Sequence, residues 1–83
     1  MKLRYFAWVR ERIGTAEETV EPPESVATVG DLLFWLQGRG ETYAFALAEP
    51  DAIRVALDQD HAERDAPIAG VREVALFPPM TGG

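Results

Sequence analysis

Cysteine is absent from the 83 residues. A disulfide scaffold, a thiolate nucleophile and a cysteine-ligated metal are therefore all excluded. Positive charge is scarce too: eight lysines and arginines stand against fourteen acidic residues, a formal net charge of −6. A protein that grips phosphate backbones needs a basic footprint, so no nucleic acid is expected as a partner. The acidic balance suits a basic partner surface instead. No apolar run approaches the roughly 18 residues that crossing a bilayer needs, so no membrane insertion is expected. Met1-Lys2-Leu3-Arg4 enters an alternating pattern directly, without an apolar targeting segment, and a cytoplasmic location is expected.

What is present suits one small folded unit. Apolar residues make up 47% of the chain and are spread along it, which argues against disorder. At this length a single core is already hard to stabilise, so one domain is expected.

Residues 2–9 alternate with period two: Leu3, Tyr5, Ala7 and Val9 form one face, and Arg4, Phe6 and Trp8 the other. The pattern predicts a first strand, with a polar turn over residues 10–14. A short second strand follows over 17–21 and stops at Pro22-Pro23, which cannot donate to a ladder. Thr28 and Asp31 form a candidate capping box. Val29, Leu32, Leu33 and Leu36 then make one apolar helical stripe, and Gly38 and Gly40 supply stops. Residues 42–48 suggest a shorter helical turn. Ile53, Val55 and Leu57 alternate as a third strand with Arg54 and Ala56 outward, and Asp58-Gln59-Asp60 reads as a turn. A minor strand through residues 61–63 and a last strand follow. In the last, Val74 and Leu76 face inward, and Glu73, Ala75 and Phe77 outward.

Two strands, one main helix and returning strands predict an α+β fold with the helix on one face of a mixed sheet. By analogy this is the β-grasp, ubiquitin-like arrangement, with the first and last strands parallel and adjacent. Residues 1–77 would form the domain and 78–83 an extended tail. Phe6, Trp8 and Phe77 would then share the uncovered face beside the tail's root, where contiguous aromatics suggest a partner surface. The alternative is that a loop such as 41–50 covers Phe6 or Trp8.

The chain closes on Phe77-Pro78-Pro79-Met80-Thr81-Gly82-Gly83. Pro78 and Pro79 lack the N–H that pairing requires, so the sheet should end at Phe77. Extended, six residues reach at most about 20 Å, far enough to enter a partner's site. Gly82, without a β-carbon, gives clearance in a narrow channel. The one chemically useful group at the tip is the Gly83 carboxylate. It becomes reactive once activated as an acyl adenylate, which an amine converts to an amide and a sulfur donor to a thiocarboxylate.

Two stretches carry a resemblance: Phe6-Ala7-x-Val9-Arg10-Glu11 with Gly14, and Glu73-Val74-Ala75-Leu76-Phe77-Pro78-Pro79-Met80-Thr81-Gly82-Gly83. Together they resemble the opening and closing signatures of the molybdopterin synthase small subunits, the MoaD branch of the ubiquitin-like MoaD/ThiS sulfur carriers. The resemblance covers the chain in length and element order. It implies that Gly83 is adenylylated by an ATP-dependent, E1-like activating enzyme. A sulfur donor protein then yields a thiocarboxylate. Residues Pro78, Pro79, Met80, Thr81, Gly82 and Gly83 enter the large synthase subunit, where the sulfur attacks a cyclic pyranopterin precursor. Phe6 and Phe77 match the family's interface aromatics. It also implies two small and two large subunits per assembly, no cofactor or metal bound by this chain, and no catalytic site of its own.

Two positions depart from the family pattern. Leu57-Asp58-Gln59 replaces a Val-Asn-Gln-like turn, and His61 stands near a position where the family often presents an apolar partner contact. An isolated histidine is more often a surface residue than a ligand. Gly30 and Gly38-x-Gly40 lack phosphate-loop context and read as turns and caps. Two alternatives remain beside the synthase subunit. One is another β-grasp carrier or modifier, serving thiamine synthesis, tRNA thiolation or lysine conjugation. The other is an interaction module with an incidental Gly-Gly.

Overall fold

The computed structural model describes residues 1–79. Five strands form one mixed sheet: β1 (Lys2–Tyr5), β2 (Glu17–Thr19), β3 (Arg54–Leu57), β4 (Asp60–Ala62) and β5 (Glu73–Phe77). Their order across the sheet is β2-β1-β5-β3-β4. The central pair is parallel, with Leu3 opposite Val74 and Tyr5 opposite Leu76, while the other pairings are antiparallel. The expected adjacency of first and last strands, and the β-grasp architecture, are both present.

Three helices cover the inner face: α1 (Ala7–Ile13), α2 (Val29–Gln37) and α3 (Glu41–Ala46), with a single 3-10 turn at Pro50–Ala52. Helix α2 is the expected main helix. Thr28 Oγ1 accepts from the Asp31 amide at 3.2 Å, and the Asp31 carboxylate accepts from the Thr28 amide at 3.3 Å, closing the capping box. Its stripe of Val29, Leu32, Leu33 and Leu36 is buried against Leu3, Val9, Leu47, Val55, Val74 and Leu76. The side chain of Gln37 donates to the Leu47 carbonyl and ties α2 to the end of α3.

The first segment corrects the sequence-based expectation. Strand β1 ends at Tyr5, and residues 7–13, read as strand and polar turn, form α1. Phe6 keeps an extended backbone as N-cap, Ala7 turns the chain with φ 52°, and Gly14 closes the helix at φ 94°. The left-handed closure favours glycine because it has no β-carbon to clash. Val9 and Ile13, four apart, are the buried pair. Residues 3–9 satisfy both periods, and only Ile13 decides for the helix. The β3–β4 connection is the expected turn: Asp58 and Gln59 both take positive φ, the geometry of a two-residue hairpin. Asp58 Oδ1 also accepts the Arg72 and Glu73 amides at 3.1 and 3.0 Å, fixing the start of β5.

One polar cluster binds the edge of the sheet to the helices. Glu18 on β2 accepts the Tyr5 and Tyr43 hydroxyls, each at 2.7 Å, on one carboxylate oxygen. Its other oxygen accepts Arg39 Nη1 at 2.9 Å. Burial on its own would raise the Glu18 carboxyl, but the hydrogen bonds from Tyr5, Tyr43 and Arg39 outweigh it and hold the carboxyl below its ordinary 4.5. With the folded value depressed, this stabilisation is complete above the ordinary value. It is lost as pH falls through the folded one. Glu18→Gln should cost about 1–3 kcal/mol in urea unfolding at pH 7. Its deficit against wild type should shrink as pH drops below 4.5. A deficit constant across that window would assign the loss to packing instead of charge.

Candidate functional site

Strand register places every outward side chain. Along β1, Leu3 and Tyr5 turn inward, so Lys2 and Arg4 turn outward, and Phe6 continues that face at the strand's end. On β5, Val74 and Leu76 are buried, leaving Glu73, Ala75 and Phe77 outward. Cross-strand partners share a face, so Arg4, Ala75, Ala56 and His61 form one outward row. The next row, nearest the C-terminal segment, holds Phe6, Phe77 and Arg54.

The result is a shallow surface floored by Ala56 and Ala75, with the two phenylalanines at one end. Phe6 is 38% exposed, and Phe77, Pro78 and Pro79 are half-buried. The Phe6 amide donates to the Leu76 carbonyl at 3.1 Å, which locks Phe6 beside the root of the terminal segment. The Arg4 guanidinium lies 5.3 Å from the Phe6 ring centroid, a cation–π distance, and 3.9 Å from Glu73. His61 sits outward on edge strand β4, 3.5 Å from Glu63. Phe6 and Phe77 thus share the outward face as expected, and His61 lies at the edge of the same face.

Trp8 does not join them. It belongs to α1, is half-buried, and packs on the helical side, where the Arg12 guanidinium lies 4.3 Å from its ring and 5.2 Å from that of Phe45. The reason is the turn at Phe6–Ala7, which carries Trp8 out of the sheet and beside α3. The alternative that residues 41–50 cover an aromatic applies to Trp8. Arg4, Ala56 and Ala75 were not singled out as site residues. Their signal was already in the alternation, since outward alanines on adjacent strands make a flat landing surface.

Met80, Thr81, Gly82 and Gly83, the residues expected to react or to thread a partner, lie outside the described residues. Among the described residues no group of three or more histidine, aspartate or glutamate side chains is placed to hold a metal. None of their helices is long and apolar enough to cross a membrane. The shifted ionisations belong to the Tyr5–Glu18–Tyr43–Arg39 cluster on the helical side, away from this face.

A family model described as the ThiS family matches residues 3–83. The molybdopterin synthase sulfur carrier subunit of Escherichia coli K12 is 35% identical over 83 residues, 100% of this chain and 99% of that protein. The protein of the same name from Haemophilus influenzae is 30% identical with the same coverage. Among solved structures, small archaeal modifier protein 1 of H. volcanii superposes with a TM-score of 0.73 at 30% identity, covering 96% of this chain and 97% of that one.

The two faces of β5 should differ in energetic weight. Leu76→Ala should cost about 2–5 kcal/mol in denaturant unfolding, the range for a buried leucine. Phe77→Ala should cost less than about 2 kcal/mol, since its ring lies on the uncovered face. Equal losses would place Phe77 in the core.

Proposed function

The chain belongs to the ThiS family, and on that premise we propose that it is the sulfur-carrying small subunit of a molybdopterin synthase, acting in molybdenum cofactor synthesis. The observation that carries this is a single juxtaposition. A chain alike over its whole length to molybdopterin synthase sulfur carrier subunits roots its Gly-Gly terminus in the central strand, beside an outward Phe6–Phe77 pair.

The chemistry follows from the carboxylate. Gly83 attacks the α-phosphate of ATP in an activating enzyme, pyrophosphate leaves, and the acyl adenylate forms. Sulfide-level sulfur supplied by a donor protein then forms the C–S bond as the C–O bond to AMP breaks, and the carboxyl becomes a thiocarboxylate. Its sulfur, a good nucleophile at neutral pH, then attacks the pyranopterin precursor inside the large subunit. Gly82 gives the backbone clearance there, and Met80 and Thr81 contact the partner along the path. The outward face holds the large subunit through Phe6, Phe77, Pro78 and Pro79, with His61 at its edge. On this reading the chain is a non-catalytic subunit that works in the cytoplasm, and the nucleotide and the precursor bind its partners.

A second reading has one observation in its favour: a relative of similar fold is a modifier protein. There the adenylate would be attacked by a lysine amine to give an isopeptide.

Mass spectrometry after incubation with ATP, a sulfur source and the organism's activating enzyme separates the two. Conversion of oxygen to sulfur nearly coincides in mass with methionine oxidation, so alkylation by iodoacetamide is the readout. With no cysteine in the chain, an alkyl adduct on the Gly83 fragment reports the thiocarboxylate, and that adduct is expected. A lysine-linked conjugate without it would select the modifier reading. In a titration against the large subunit, Phe77→Ala should weaken binding by about 2 kcal/mol or more, roughly thirtyfold in Kd, as loss of an aromatic anchor does. Unchanged affinity would remove Phe77 from the interface.

A further inference from the structure

The chain carries a formal charge of −6, but the outward sheet face does not share it. Strand register puts Lys2 and Arg4 of β1, Arg54 of β3 and Glu73 of β5 on that face, with Glu17 of β2 opposite Arg4. Glu63 joins them through its contact with outward His61. Three cations therefore stand against three carboxylates. Taking three from the chain's eight cations and three from its fourteen acids leaves five against eleven, so the whole excess lies elsewhere. The acidic composition is no guide to what this face meets.

The three cations differ in how they are held. Lys2 Nζ lies 3.2 Å from Glu17 and Arg4 Nη1 3.9 Å from Glu73, while Glu63 is 3.5 Å from His61. Arg54 is the one of the three that makes no ion pair among the described residues. It is exposed, and it stands directly opposite Phe77 in the β3–β5 ladder. Such partners have β-carbons about 5 Å apart, so a surface that covers the Phe77 ring also reaches the Arg54 side chain. Dehydrating an unpaired guanidinium is costly unless an acceptor replaces the lost water. A basic surface would add repulsion to that cost.

We propose that Arg54 is a specificity residue of the Phe6–Phe77 face: the partner presents a carboxylate beside its seat for Phe77, and the Arg54 guanidinium donates to it. The planar fork suits a carboxylate held by two parallel N–H bonds. At this point the partner's surface is apolar and acidic, not basic as the composition alone suggests. The partner's identity rests on the carrier reading proposed above, in which this face meets the large synthase subunit.

The test is a titration of the full chain against the organism's large subunit, from about 50 to about 500 mM salt. Arg54→Gln should weaken binding about ten- to hundredfold at low salt, the range for a hydrogen-bonded charge. Its affinity should also fall less steeply with salt than that of the wild type. Arg54→Lys keeps the charge without the fork and should recover part of the loss. Arg12→Gln removes the same charge from the helical side and should bind as wild type does. Thermal melting of Arg54→Gln should match the wild type, which separates lost binding from lost folding. Unchanged or tighter binding by Arg54→Gln would overturn the proposal. Equal losses in Arg12→Gln would do the same, because they report net charge. Self-association of the wild type that Arg54→Gln abolishes would seat a second copy there and also overturn it. Failure of the carrier reading shows separately, as no complex between the wild type and the large subunit at any salt, and it would take this proposal with it.

Discussion

Parallel pairing between the first and last strands is the constraint on which the rest depends. Parallel neighbours cannot be joined by a tight turn, so everything from Phe6 to Arg72 acts as the crossover between them. Closing so long a connection costs entropy, although that cost grows only slowly with length. Burial offsets it at the pairing itself, where Leu3, Tyr5, Val74 and Leu76 are at most 1% exposed. One outcome is mechanical. The strand that precedes the terminal segment is hydrogen-bonded on both sides, by β1 and β3, and is not a frayed edge. Whatever pulls on the segment after Phe77 works against the central strand of the sheet.

The two faces of that sheet are treated differently. The inner one receives three helices and a polar pin, since Glu18 joins β2 to Tyr5 beneath it and to Tyr43 and Arg39 above. A half-buried carboxylate with three donors fixes how the sheet's edge meets α3. Among the described residues no element covers the outer face, and its centre carries alanines where a solvated sheet would carry long polar side chains. Both edge strands, β2 and β4, are only three residues long and bear charge at Glu17, Glu18 and Asp60, which discourages edge-to-edge pairing with other copies. On the carrier reading proposed above, that leaves the flat face beside Phe77 for a partner.

Much of this was legible in the residues. Alternation in β3 and β5 gave the correct inward and outward sets, and Thr28 with Asp31 marked the start of α2 to the residue. The failure over residues 6–13 has a physical cause. Apolar residues at 3, 5, 7 and 9 satisfy a strand, while 9 and 13 satisfy a helix, and local pattern does not choose between them. Tertiary context chose, because a helix lets Val9 and Ile13 reach the core from above the sheet. The same error misplaced Trp8 but not Phe6, since Phe6 keeps an extended backbone at the junction. Phe34 and Phe45, 78% and 64% exposed on the helical side, had no marker in the pattern beyond falling outside the apolar stripe.

On the sulfur-carrier reading proposed above, absence of cysteine and scarcity of lysine share one chemical meaning. A thiol within tail reach would capture the acyl group as a thioester, and a free amine would capture it as an amide, which does not reverse. Arginine supplies positive charge without that reactivity, and it supplies seven of the eight cations here. Two of them, Arg4 and Arg54, stand opposite Ala75 and Phe77, at the root of the terminal segment. The single side-chain amine, on Lys2, lies at the far end of the ladder and is paired with a carboxylate. On that reading, sulfur arriving from outside would meet little competition from the chain's own side chains, and the acyl group would be kept for the partner.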